Sequence, residues 1–186
     1  MDGIFQSFLK SGLDQAVARA DLLGIAEAKP DNRQTGDSML MKQKIRVLFL
    51  CTGNSCRSQM AEGWANYLGG ASLEARSAGI ETHGKNPRAI AVMREAGVDI
   101  SHQESTKLTP DMLEWADLVV TVCGHADEHC PAPPPGARKA HWPLEDPARA
   151  TGAEEEIMAQ FRAARDEVRR RVAELIENLR SGSAGR

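Results

Sequence analysis

An α/β fold is what this sequence predicts: a small parallel four-stranded sheet flanked by helices on both faces, with an N-terminal helical extension. Three observations lead there. Short β-rich apolar runs recur at residues 45–50, 73–77, 117–122 and 139–142. Stripes of apolar residues at helical spacing separate them. Glycine and proline punctuate the joints. Strands that alternate with helices form parallel pairs joined by crossovers. The 186 residues suffice for one domain with a substantial core, and no internal repeat divides them.

The elements follow in order. Residues 1–42 do not resemble the rest. Phe5, Phe8, Leu9, Leu13, Ala16, Val17 and Ala20 fall on one helical face, and a polar, turn-rich linker over 29–38 follows. Met41 stands just before the first strand, so this segment reads as an appendage. The run at 45–50 is the first strand. The next helix carries Met60, Ala61, Trp64, Tyr67 and Leu68 on one face, and Gly69-Gly70 ends it. After the second strand, a helix begins near Pro87, buries Ala89, Ile90, Met93 and Ala96, and stops at Gly97. Thr109-Pro110 is a helix start, with proline at the first helical position. The continuous apolar run at 117–122 is a buried strand. A loop rich in glycine and proline spans 124–136, and a fourth strand covers 139–142. Thr151-Gly-Ala-Glu154 reads as a capping box opening the last helix. Its stripe is Ile157, Phe161, Ala164, Val168, Val172, Leu175 and Leu179. The main domain thus covers 43–180, and 181–186 form a frayed tail.

Chemistry concentrates where the first strand ends. Ile45-Arg-Val-Leu-Phe-Leu runs into Cys51-Thr-Gly-Asn-Ser-Cys56-Arg57-Ser58, and a helical pattern follows. A tight loop between strand and helix turns backbone N–H groups toward its centre, and the helix adds its positive end. That concavity suits a tetrahedral oxyanion held by the backbone of Thr52, Gly53, Asn54, Ser55 and Cys56. Arg57 closes it with a planar fork. Cys51 sits at the base, where the field favours a thiolate nucleophile. Gly53 is expected to supply a positive φ, and Asn54 to brace the loop with its amide. Ser58 can donate to the Cys51 sulfur. Cys56 reads as structural.

Bulk properties narrow the function. Net charge is −3, without the basic footprint of a nucleic-acid binder. No apolar run reaches membrane-spanning length. The N-terminus lacks an export pattern, so a cytoplasmic, reducing compartment is expected. Four cysteines there point to chemistry rather than to disulfide staples. Cys123 follows a predicted strand, and Cys130 lies in the loop beyond. His125 and His129 give that loop a metal-like composition, but no Cys-x-x-Cys pair supports a zinc site. Asp146-Pro147 reads equally as a turn or as a general acid. His83, His102 and His141 carry no separate signal.

At this point a resemblance becomes specific. Cys51-Thr-Gly-Asn-Ser-Cys-Arg-Ser-Gln-Met-Ala-Glu-Gly63 resembles the active-site loop of thioredoxin-coupled arsenate reductases, which share the fold of low-molecular-weight tyrosine phosphatases. The likeness continues through Ser77-Ala-Gly-Ile, His83-Gly-Lys-Asn-Pro87, Val98-Asp-Ile-Ser101 and Ala116-Asp-Leu-Val-Val-Thr-Val-Cys123. It extends through Cys130-Pro and His141-Trp to Glu145-Asp-Pro-Ala-Arg149. It covers about 43–179 and leaves out 1–42.

The resemblance implies a relay. Cys51 attacks arsenate, Cys123 attacks Cys51 and expels arsenite, and Cys130 moves the disulfide to Cys123–Cys130, which thioredoxin reduces. It also implies that Asp146 is the general acid, that phosphate and sulfate compete with arsenate, and that the chain is a monomer. No tightly bound cofactor is implied. Some members carry a potassium site, whose ligand positions Asn54, Glu62 and Ser77 are matched here. The aspartate expected after Ser105 is Thr106, which leaves potassium in doubt.

Two other readings stand beside this one. A low-molecular-weight tyrosine or aryl phosphatase would use Cys51, Arg57 and Asp146 alone. A sensor of trivalent arsenic or another metal would bind through the thiols without turnover.

Overall fold

A computed structural model describes residues 44–181. The expectations for residues 1–42 and for the end of the tail lie outside the described residues. Strand β1 covers Ile45–Cys51, with Val47, Leu48, Phe49 and Leu50 fully enclosed. β2 is Leu73–Gly79, β3 is Leu118–Thr121 and β4 is Arg138–His141. All pairings are parallel and the order is β2-β1-β3-β4.

The helices are α1 (Arg57–Gly69), α2 (Pro87–Glu95), α3 (Pro110–Trp115), α4 (Gly124–His129) and α5 (Glu154–Arg180). From β1 the chain steps one way to β2, then returns past β1 to β3 and β4. Right-handed crossovers therefore put α1 on one face and α3 and α4 on the other. α1 and α5 pack together, and α2 rests on α5. The carboxyl ends of β1 and β3 flank the point where the strand order reverses, the place where sheets of this kind bind ligands. The fold class predicted above is the one observed.

Four details differ. Residues 124–129 form α4 rather than loop, because the Cys123 side chain accepts the Ala126 N–H and Ala126 is fully buried. Helix α5 begins at Ala153, not Thr151. Glu156 rather than Glu154 reaches back to accept the Ala153 N–H, at 2.8 Å. Tyr67 is 63% exposed, whereas Trp64 is 2% exposed, so the buried stripe of α1 turns away from Tyr67. The α5 stripe includes Ile176, which is buried between the half-buried Leu175 and Leu179.

Candidate active site

The loop after β1 is shaped by the segment that follows β2. Ile80, Glu81, His83 and Asn86 donate backbone N–H groups to the carbonyls of Cys51, Thr52, Gly53 and Ser55, at 2.8–3.3 Å. The Asn54 carbonyl accepts from Gln59 Nε2 at 2.8 Å. Carbonyls so fastened point outward, which leaves the loop amides to the inner side. Gly79 permits this zipper: a Cβ there would strike the Asn54 nitrogen and the carbonyls of Thr52 and Glu81. Gly53 is required for a different reason from the one expected. It has no positive φ; a Cβ on it would collide with the His83 ring. The left-handed residue is Asn54, with φ 44°.

Asn54 is the hub. It is fully buried, and its Nδ2 donates to Ser58 Oγ at 2.9 Å and Ser77 Oγ at 2.8 Å. Its Oδ1 accepts the Thr106 N–H at 2.7 Å. Ser58 Oγ, which accepts from Asn54, lies 3.0 Å from the Cys51 sulfur and can donate to it when the sulfur is a thiolate. The Asn54 N–H reaches the same sulfur at 3.2 Å. Cys51 is thus fixed by two donors at the base of the loop and is 3% exposed.

The structure brings Arg57 and Asp146 together. Arg57 donates to the Leu144 carbonyl at 2.9 Å and pairs with Asp146 at 2.8 Å. Two of its five N–H donors are so used. The pair ties the oxyanion loop to the acid loop, where Asp146 also accepts the Ala148 N–H at 3.1 Å.

Cys123 belongs to the same site. Leu50 pairs with Thr121, so the register carried past the strand ends sets Thr52 beside Cys123. Thr52 Oγ1 lies 3.4 Å from Cys123 Sγ. Cys130 sits at the other end of α4, half-buried, and burial raises its thiol above the ordinary value. Cys56 caps α1 inside the domain, and burial pushes its thiol up to about 11, which makes it a poor nucleophile. All four cysteines are free thiols.

The positions matched to a cation site are joined by hydrogen bonds: Asn54 Nδ2 donates to Ser77 at 2.8 Å, Ser77 donates to Glu62 at 2.6 Å, and the Asn54 oxygen accepts the Thr106 N–H. Glu62 is the one carboxylate among them. Among the described residues, no group of three or more His, Cys, Asp or Glu side chains could hold a metal ion. Sequence reasoning missed His83 and His125: the first packs on Gly53, and the second approaches Thr52 Oγ1 at 3.5 Å. Both contacts are tertiary, and only the spacing of His125 from Cys123 hinted at either.

Curated relatives match nearly their full length. An arsenate reductase of Bacillus licheniformis is 53% identical over 134 residues, 72% of this chain and 96% of that protein. One from Bacillus subtilis is 53% identical over 137 residues, 74% of this chain and 98% of that protein. Among solved structures, an arsenate reductase in a phosphate-binding state superposes with a TM-score of 0.59 at 36% identity, covering 72% of this chain and 98% of the other. An arginine phosphatase of Geobacillus stearothermophilus gives 0.63 at 27% identity, covering 74% and 94%. The family described as low molecular weight phosphotyrosine protein phosphatase matches residues 46–184. With the cysteine, the arginine and the acid loop gathered at the end of β1, the chain belongs to that family.

Proposed function

We propose that this protein reduces arsenate to arsenite through Cys51, Cys123 and Cys130, and that thioredoxin restores the thiols. One observation carries the reading: a second sulfur, Cys123, stands beside the oxyanion loop, bonded to the residue that follows Cys51. A phosphatase needs only the first. Relatives about half identical to this chain are named arsenate reductases, which supports the same choice.

The chemistry balances with two thiols. The Cys51 thiolate attacks arsenic(V), and one oxygen leaves as water after protonation. Asp146 and Arg57 stand at the mouth of the loop, placed to handle that proton and the oxyanion charge. Cys123 then attacks the Cys51 sulfur. The arsenic–sulfur electron pair returns to arsenic, arsenite(III) leaves, and a Cys51–Cys123 disulfide remains. Cys130 attacks Cys123, freeing Cys51.

The last step needs movement. Cys123 and Cys130 cap opposite ends of α4, and seven residues of helical rise separate them by about 10 Å. A disulfide needs Cα atoms within about 7 Å. Helix α4 must therefore unwind, and unwinding would bring the disulfide to the surface, where thioredoxin can attack it. The cycle requires reduced thiols at its start, which suits the cytoplasm.

Replacing Cys130 with serine tests the relay. A burst of about one arsenite per chain should survive, while NADPH oxidation through thioredoxin reductase and thioredoxin falls to background. Full steady-state turnover in that variant refutes the relay. Turnover on an aryl phosphate exceeding that on arsenate favours the phosphatase reading instead.

A further inference from the structure

We propose that His125 is the proton acceptor for Cys123, acting through the hydroxyl of Thr52. This deepens the preceding reading and rests on Cys123 being the second nucleophile. Thr52 Oγ1 stands 3.4 Å from Cys123 Sγ and 3.5 Å from His125 Nδ1. One hydroxyl therefore joins the sulfur to the imidazole. A single polarity serves both contacts: the Cys123 S–H donates to Oγ1, and the Thr52 O–H donates to Nδ1. A shift of one proton along each bond breaks the S–H bond, returns Thr52 to its starting form and leaves an imidazolium on His125. No electron changes hands in this step, and Cys123 is left as the thiolate that attacks Cys51.

The surroundings suit that role. The His129 ring stacks on His125, with centroids 4.2 Å apart and planes inclined at 24°. His129 Nδ1 donates to the His125 carbonyl at 2.8 Å. Glu81, in the segment after β2, interacts with the charge of His125. Its hydrogen bond with His83 holds its carboxyl below the usual range, and the charges of His125 and Lys107 add smaller shares. An imidazolium on His125 would feel the Glu81 charge. His129 stacks on it, Cys123 is reached through Thr52, and Asp127 and Glu128 lie on the same short helix. His125 itself is exposed, so it can return its proton to solvent between turnovers.

Alkylation of Cys123 tests this without arsenate. The reduced full chain is treated with iodoacetamide from pH 5.5 to 8.5, and the Cys123 peptide is quantified by mass spectrometry, with Cys51 as reference in the same sample. In the native chain the Cys123 rate reaches a plateau within this range. In His125→Asn the rate at pH 7 is about tenfold lower and keeps rising with pH, as for a lone thiol. Thr52→Val gives the same loss, and Thr52→Ser restores the native profile. Identical profiles in the native and His125→Asn chains overturn the proposal, as does a Thr52→Ser chain as slow as Thr52→Val. If the native chain forms no arsenite while Cys123 alkylation still depends on His125, the reductase reading fails and this inference stands.

Discussion

The loop from Cys51 to Ser58 and helix α4, flanked by Cys123 and Cys130, each carry the sulfur of the proposed relay, in opposite mechanical settings. The loop is fastened on every side: its carbonyls to residues 80–86, its hub Asn54 to Ser58, Ser77 and Thr106, and its arginine to the acid loop. Helix α4 is six residues long and buries one side chain, Ala126. Its main tether is Asp127, which accepts from Thr121 at 2.8 Å and pairs with Lys139 at 2.9 Å. The contrast matches the two jobs. Attack on a tetrahedral anion rewards donors already in place. Disulfide transfer over about 10 Å needs a segment that opens at small cost.

The largest effect is expected where the fastening is densest. Asn54→Ala removes three hydrogen bonds, two of them buried, and puts alanine in the left-handed region. The loss should be about 3 kcal/mol of stability, with kcat/KM on arsenate down about a hundredfold. Urea unfolding and a thioredoxin-coupled assay measure the two. Amide exchange in α4 should barely change. A stability loss under about 1 kcal/mol would mean that the pairing with residues 80–86 holds the loop unaided.

The opposite intervention loosens the lightly tethered helix. Asp127→Ala removes the Thr121 hydrogen bond and the Lys139 ion pair, partly exposed contacts worth about 1 kcal/mol together, and leaves Lys139 its bond to the carbonyl of residue 127. Hydrogen exchange at residues 124–129 should quicken about fivefold, and transfer of the disulfide to Cys123–Cys130 should quicken with it. Arsenite release in a single turnover should stay near native. Slower disulfide transfer in this variant would show that α4 must be held, not freed, for Cys130 to attack.

The same division governs what the sequence discloses. The strand, the loop and the α1 start are contiguous, so Cys51, Arg57 and Ser58 were legible as parts of one loop, and the sheet followed from periodicity. Helix α4 was not legible. Its N-cap is a thiol rather than a hydroxyl or carboxyl, and Gly124-His-Ala-Asp-Glu-His129 is too short to show a stripe. Gly53 looked like a residue chosen for its φ, because local reasoning cannot see a ring arriving from thirty residues away. The tie between Arg57 and Asp146 lay equally out of reach, since it joins two loops distant in sequence.

The smallest effect probes how far the rigid region extends. Glu62 ends the chain that starts at Asn54, accepting from Ser77 at 2.6 Å. Burial raises its carboxyl above the ordinary value; the Ser77 hydrogen bond and the charges of His102 and Arg76 offset this only in part. A carboxyl raised on folding favours the folded state while protonated. That contribution is full below the unfolded value of about 4.3 and is lost as pH rises through the folded value. At pH 7.5 the ionised Glu62 therefore weighs against folding. Glu62→Gln keeps an oxygen for Ser77 and removes the charge. The variant should be more stable than the native chain at pH 7.5, by about 0.5 kcal/mol, and the gap should close by pH 4.5. Thermal melts at the two pH values read this directly. A variant less stable at pH 7.5 would mean that the charged acceptor strengthens the Ser77 bond by more than burial costs, and that the fastening of the loop reaches Glu62 as an ion.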